Sequence, residues 1–170
     1  MKPPPLTITP RSIAPHSVAL ASDHAAVGLK AELAAWLTEQ GHDVTDLGPD
    51  NSDSVDYPDY GFKLAQHIAA GNAEFGVALC GSGIGISIAV NRNPACRCAL
   101  VSDHLSASLS RQHNNANVIA MGARLIGIDT AKDCLSTFLA TPFEGGRHER
   151  RVALLSSSQN SNTTLSNPVC

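Results

Sequence analysis

The apolar run Phe75-Gly76-Val77-Ala78-Leu79-Cys80 breaks at Gly81-Ser82-Gly83-Ile84-Gly85 and gives way to a helical pattern over residues 86–91. A short run with no polar alternation is what a strand buried on both faces requires, and such strands belong to parallel sheets. The same grammar recurs along the chain. Residues 17–22 read as a strand ending at Asp23-His24, and Leu29, Leu33, Trp36 and Leu37 then follow at helical spacing, with Gly41 as the stop. Residues 44–47, 97–101 and 118–121 are further strands, and residues 60–70, 105–112, 129–139 and 147–155 further helices. Residues 50–59, rich in Asp, Ser and Asn, form a loop with a Tyr57-Pro58 step. This alternation predicts an α/β fold, with a five-stranded parallel sheet covered by helices on both faces and a helix at the C-terminal end. Ligands of such sheets sit at the carboxyl ends of the strands, beside a topological switch point.

The pattern bounds one domain over residues 17–155. Residues 1–16 are a proline-rich stretch without acids, expected to be flexible, and residues 156–170 shift to Ser, Asn, Thr and Gln, expected to be a flexible polar tail. A formal net charge of −3 argues against non-specific nucleic-acid binding. No apolar run approaches the roughly 18–20 residues of a membrane span. The cysteines Cys80, Cys96, Cys98, Cys134 and Cys170 are odd in number and show no CxxC or zinc-type spacing. Cys96 and Cys98 would point the same way on a strand, too close along the chain for an ordinary disulfide. A reduced, cytoplasmic compartment and no metal are expected.

Chemistry collects at three places. Asp23-His24 follows the first strand, where an aspartate often caps a helix and also has the reach to contact a hydroxyl or phosphate. Cys80-Gly81-Ser82-Gly83-Ile84-Gly85 brings a thiol, a hydroxyl and backbone N–H groups to one turn. Such a turn binds anions or oxyanions and favours a thiolate over a thiol. It has neither the GxGxxG spacing of a dinucleotide site nor the GK[ST] of a P-loop. Ser110-Arg111-Gln112-His113-Asn114-Asn115 lies between a helix and a strand, where Asn115 suits a helix cap and His113 and Asn114 join the polar groups expected at strand ends. Arg124 stands apart, and Arg147 and Arg151 stand four apart on one face of the expected last helix, with His148 between them. Arginines so placed are suited to clamp a phosphate.

Taken together, Ser22-Asp23-His24, residues 56–60 (Asp-Tyr-Pro-Asp-Tyr), residues 80–85, Arg111-Gln112-His113-Asn114, Gly122-Ala123-Arg124 and Glu144-Gly145-Gly146-Arg147-His148 make the chain resemble ribose-5-phosphate isomerase type B, the group that includes galactose-6-phosphate isomerase. The resemblance runs from about residue 18 to residue 155. It implies a Rossmann-like, flavodoxin-type three-layer sandwich, a homodimer or dimer of dimers with composite active sites, and aldose–ketose isomerisation of a sugar phosphate without cofactor or metal. In that frame Cys80 is the base that moves a proton between C1 and C2, Ser82 assists at the sugar oxygen, and the backbone around Gly81, Gly83, Ile84 and Gly85 stabilises an enediolate. His113 promotes ring opening, Asp23, His24, Tyr57 and Asn114 contact the sugar, and Arg124, Arg147 and Arg151 bind phosphate.

A branch of the family places a catalytic glutamate where this chain has Ile86, which cannot titrate, and this favours Cys80. Ala26 and Asn115 depart from the family's usual glycine and aspartate. The expected reaction is D-ribose 5-phosphate to D-ribulose 5-phosphate. The rivals are isomerisation of galactose 6-phosphate, allose 6-phosphate or a tetrulose phosphate, and a non-catalytic sugar-phosphate-binding module on the same fold.

Overall fold

The computed structural model describes residues 14–157. The strands are β1 (Ser17–Ser22), β2 (Asp43–Asp46), β3 (Phe75–Cys80), β4 (Cys98–Leu100) and β5 (Val118–Gly122). The helices are α1 (Val27–Glu39), α2 (Tyr57–Ala69), α3 (Ile84–Val90), α4 (His104–Asn114), α5 (Ile128–Ala140) and α6 (Glu149–Ser157), with 3₁₀ turns at His24–Ala26 and Gly146–His148. All strand pairs are parallel, in the order β2-β1-β3-β5-β4. The order begins as the flavodoxin type does and then seats β5 beside β3, which leaves the three-residue β4 at the edge.

Period-two alternation along the strands divides the core into two layers. Val18 and Leu20 of β1, with Val77 and Leu79 of β3, pack against Leu33 and Leu37 of α1 and against Leu135 and Phe138 of α5. Ala19, Ala21 and Ala78 face the other way, toward Leu64 and Ile68 of α2 and Ile86 and Val90 of α3. A helix layer on each face makes the expected three-layer sandwich.

Several boundaries differ from the sequence reading. Helix α2 starts at Tyr57 rather than residue 60, because Pro58 falls in its first turn, where a missing N–H costs nothing. Arg147 belongs to the 3₁₀ turn and Arg151 to α6, so the two are not successive positions on one α-helical face. Residue 16, placed in the flexible extension, is instead pinned. The His16 N–H donates to His42 Nδ1 at 3.1 Å, its ring nitrogen meets Glu74 at 2.7 Å, and its ring stacks on His42. At the other end α6 runs past residue 155 to Ser157. The remainder of the expected extension and tail lies outside the described residues.

Two charged side chains are built into the frame. Lys30, only 2% exposed, pairs with both carboxylate oxygens of Asp46, and Asp46 also accepts the Gly48 N–H at 2.8 Å. This ties α1 to the segment leaving β2. Arg111 lies over the rings of Phe75 and Phe138, 4.9 and 5.5 Å from their centroids, and donates to the Asn115 side chain at 3.0 Å. Asn115 ends α4 in the left-handed region at φ 45°, the capping role expected of it.

His42 supplies a pH dependence. Burial, and then the neighbouring His16, lower its pKa from 6.5, and its Nδ1 must stay unprotonated to accept the His16 N–H. The unfolded chain therefore binds a proton that the folded one resists. Its contribution to stability is complete above pH 6.5 and is lost progressively as the pH falls below that value. Urea unfolding on the two sides of this pH should show lower stability on the acid side, and His42→Gln should reduce the difference. An unchanged difference would remove His42 as a source.

Candidate active site

The chain order places β2 and β3 on opposite sides of β1, so the carboxyl ends of β1 and β3 flank the topological switch point. The Asp23 N–H donates to the Leu79 carbonyl at 3.0 Å and locks these two ends together. A cavity of about 300 Å³ opens there, lined by Asp23, Tyr57, Cys80, Gly81, Ser82, Gly85, Arg124 and Leu125. Four segments distant in sequence thus meet where a parallel sheet is expected to hold its ligand.

The cavity floor is the turn after β3. The Gly83 N–H donates to Cys80 Sγ at 3.1 Å and fixes the sulfur beside the turn, and the Ile84 N–H reaches Ser82 Oγ at 3.3 Å. Gly83 has φ 76°, and a Cβ there would lie 2.8 Å from the Met121 carbonyl carbon. A Cβ on Gly122 would lie 2.7 Å from the Ser82 backbone. The turn after β3 and the end of β5 therefore touch backbone to backbone. The Ala123 and Arg124 N–H groups donate to the Cys80 and Gly81 carbonyls at 2.9 and 3.0 Å, which delivers Arg124 to the cavity.

The remaining wall comes from the segment before α2. Tyr57 packs its ring over Gly85. His24 is not among the lining residues, and its Nδ1 is 3.2 Å from both the N–H and the carbonyl of Val55. Asp23, buried, accepts the Ala25 N–H at 2.9 Å and so caps the first 3₁₀ turn while one side of it reaches the cavity. Ile84, which opens α3, is exposed.

Three more cysteines, Cys96, Cys98 and Cys134, lie among the described residues. Burial pushes the Cys96 and Cys134 thiols up to about 11 and raises the Cys98 thiol as well. None of these is a ready base at neutral pH. All four described cysteines are free, in line with the expectation for Cys96 and Cys98.

His113, Asn114, Arg147 and Arg151 do not join the cavity. Helix α4 runs back against the strand direction, so His113 and Asn114 lie just before β5, whose first residue, Val118, pairs with Gly76 at the start of β3. Cys80 pairs with Gly122 at the far end. The intervening strand spans roughly 13 Å, so the expected gathering of His113 and Asn114 with the strand-end groups fails within one chain. α5 also runs back, and the Glu144 N–H donates to the Gln112 carbonyl at 3.1 Å, which places the Arg147 turn at this opposite edge. There His113 stacks on His148, with ring centroids 4.4 Å apart. Asn114 lines a separate hollow with Asn91, Arg97 and Leu155. Sequence reasoning passed over Leu125, an apolar wall of the cavity, and His148, buried beneath His113. In the sequence His148 appears between Arg147 and Arg151 and in the Glu144–His148 motif, without a role of its own.

The family model of the ribose/galactose isomerases matches residues 18–155. Ribose-5-phosphate isomerase B of Escherichia coli is 42% identical over 135 residues, 79% of this chain and 91% of that protein. Among solved structures, a ribose 5-phosphate isomerase from Thermotoga maritima is 47% identical with a TM-score of 0.80, covering 82% of this chain and 96% of its own. Ribose 5-phosphate isomerase B of Anaplasma phagocytophilum is 46% identical, also with a TM-score of 0.80, covering 85% and 99%.

The turn geometry yields a direct test. Gly83→Ala must place a Cβ against the backbone of β5 at a φ that L-residues resist. It should destabilise the fold by about 1–3 kcal/mol in urea unfolding. A variant as stable as wild type would contradict the backbone contact.

Proposed function

Because the chain belongs to the ribose/galactose isomerase family, we propose that it interconverts D-ribose 5-phosphate and D-ribulose 5-phosphate. The observation that carries the reading is the cavity at the β1/β3 switch point, where Cys80, Ser82, Asp23 and Arg124 converge. Converting an open-chain aldose to a ketose needs a base at C2–H, a donor for the charge that develops on oxygen, and a fixed phosphate. In this reading Cys80 Sγ takes the C2 proton and returns it to C1. Ser82 and the backbone of Gly81, Gly83, Ile84 and Gly85 face the enediolate oxygens. Asp23, His24 and Tyr57 orient the sugar, and Arg124 holds one side of the phosphate.

His113, which promotes ring opening, Asn114, which holds a hydroxyl, and the phosphate-binding Arg147 and Arg151 stand at the opposite sheet edge. A second copy of the chain must supply them. The surface for that copy is the apolar rim of the cavity. Ile84 and Ile88, one helical turn apart on α3, are about half exposed, as is Leu100, and Leu125 is more exposed still. Leu100 touches the Gly83 turn and Leu125 lines the cavity itself. Contiguous exposed apolar side chains around a site mark an interaction surface. The family resemblance and this rim support a homodimer with two composite sites. The free thiols favour a reducing compartment, the cytoplasm. Among the described residues no helix is long and apolar enough to cross a membrane.

Turnover on ribose, allose and galactose phosphates tests the substrate, with preference for ribose 5-phosphate expected. Cys80→Ala should lower turnover by about 10²–10⁴-fold, the range of a lost general base, while substrate still binds. Near wild-type turnover would make Cys80 structural and overturn the mechanism.

Subunit mixing tests the composite site. Cys80→Ala and His113→Ala homodimers should each be inactive. Statistical mixing of the two should restore roughly a quarter of wild-type activity, through one intact site in each heterodimer of a two-fold assembly. Verified heterodimers without activity would sink the shared site.

A further inference from the structure

At the sheet edge opposite the cavity, one donor atom from each of His113, Glu144 and His148 lies within 4.8 Å of the others. The imidazoles come from distant parts of the chain and stack with planes 9° from parallel. Glu144 precedes His148 by four residues, and its Oε2 is 3.7 Å from His148 Nε2. The bond from the Glu144 N–H to the Gln112 carbonyl fixes the segment carrying two of the donors to the helix carrying the third. His148 is buried, His113 half-buried, and Glu144 open to solvent.

Two imidazoles and a carboxylate are a donor set that binds zinc and leaves a fourth position open. An imidazole must be neutral to ligate a metal. Burial, followed by the neighbouring His113 and Arg147, holds the His148 pKa below its ordinary value and keeps it in that form. Ligands about 2.0–2.2 Å from a tetrahedral ion stand roughly 3.3–3.6 Å apart. The present spread is wider, and rotation of the exposed Glu144 and half-buried His113 side chains closes it. Arg147 Nε donates to His148 Nε2 at 3.2 Å. This exposed guanidinium must swing away as an ion enters, so the ion and the present Arg147 contact compete.

We propose that His113, Glu144 and His148 form an inhibitory site for a borderline-soft divalent cation of the zinc type. The ion joins α4 to the 3₁₀ turn before α6, withdraws the His113 imidazole from acid–base work and displaces Arg147. It is not a cofactor, and the isomerisation proceeds without it. The inhibitory half rests on the reading of His113 under Proposed function, whereas the binding half does not.

The test titrates EDTA-treated, full-length protein with zinc chloride by calorimetry and, in parallel, follows turnover. Wild type should bind zinc and not magnesium, and zinc should inhibit it reversibly, with EDTA restoring activity. His148→Ala should remove this binding event. Glu144→Gln, an exposed change that keeps basal activity, should need at least about tenfold more zinc both to bind and to be inhibited. If His148→Ala fails to fold, Glu144→Gln decides. Absence of zinc binding by wild type, or unchanged zinc sensitivity in Glu144→Gln, as inhibition through Cys80 alone would give, overturns the proposal. Binding with the expected residue dependence but without inhibition overturns its inhibitory half and the ring-opening role of His113, and leaves the isomerase reading with Cys80 intact.

Discussion

The contact on which the rest of the site depends is between two pieces of backbone, the turn after β3 and the end of β5. Gly83 and Gly122 have no Cβ, so the turn lies directly on β5. Two main-chain hydrogen bonds, from Ala123 and Arg124 to Cys80 and Gly81, then seal the junction. The consequences propagate outward. The turn presents its N–H groups to the Cys80 sulfur and the Ser82 hydroxyl, and the chain leaving β5 is aimed so that Arg124 enters the cavity. A side chain at either glycine would separate these groups by more than a positioned reaction tolerates, since about 1 Å of misplacement can cost on the order of 10²-fold in rate.

A parallel sheet imposes the second constraint. Every strand begins at one edge and ends at the other, and every connecting helix returns the chain to the starting edge. Groups at or just past strand ends, such as Asp23, Cys80 and Arg124, therefore collect at one edge, while groups at or just past helix ends, such as His113 and Arg147, collect at the other. No local rearrangement of α4 or α6 changes this, because the β3–β5 register fixes Gly76 opposite Val118 and Cys80 opposite Gly122.

That distinction also explains what could be read in the sequence. The strands and most helices announce themselves through continuous apolar runs and helical spacing, and the turn at 81–85 announces itself through its glycines. Asp23, Cys80 and Ser82 stand out in the sequence because they lie at or just past a strand end, the position where such sheets bind ligands, whereas Arg124 is singled out only by the family resemblance. His113 and Asn114 look equivalent in one dimension, yet they close helix α4, which runs back against the strands to the other edge. Lys30 was illegible for another reason. A lysine within an amphipathic pattern reads as surface, and only the arrival of Asp46 from β2 makes its burial affordable. Arg111 likewise belongs to a motif suggestive of ligand binding, but its guanidinium is spent on two aromatic rings and the cap of α4. The 3₁₀ turn at Gly146–His148 hid the separation of Arg147 from α6, because a four-residue spacing looks the same in either setting until the backbone is seen.

The apolar rim gives the split arrangement a chemical purpose within the proposed dimer. A cavity open to water stabilises charge on an enediolate poorly, because a high dielectric weakens every hydrogen bond and ion pair aimed at it. Leu125 lines the cavity and is exposed, and Ile84, Ile88 and Leu100, on and against the turn and helix that follow β3, are exposed as well. A second chain seated on them would exclude water and, in the same movement, bring histidine and arginine to the sugar phosphate. Ring opening and phosphate capture would then depend on assembly, while proton transfer at Cys80 depends on the glycine junction. Substrate, by contacting both chains, would bind the assembled form better than its parts and so stabilise the assembly by mass action. In the proposed dimer the conditions for chemistry would thus be separate, since each chain would order its own base and only the pair of chains would complete the site around it.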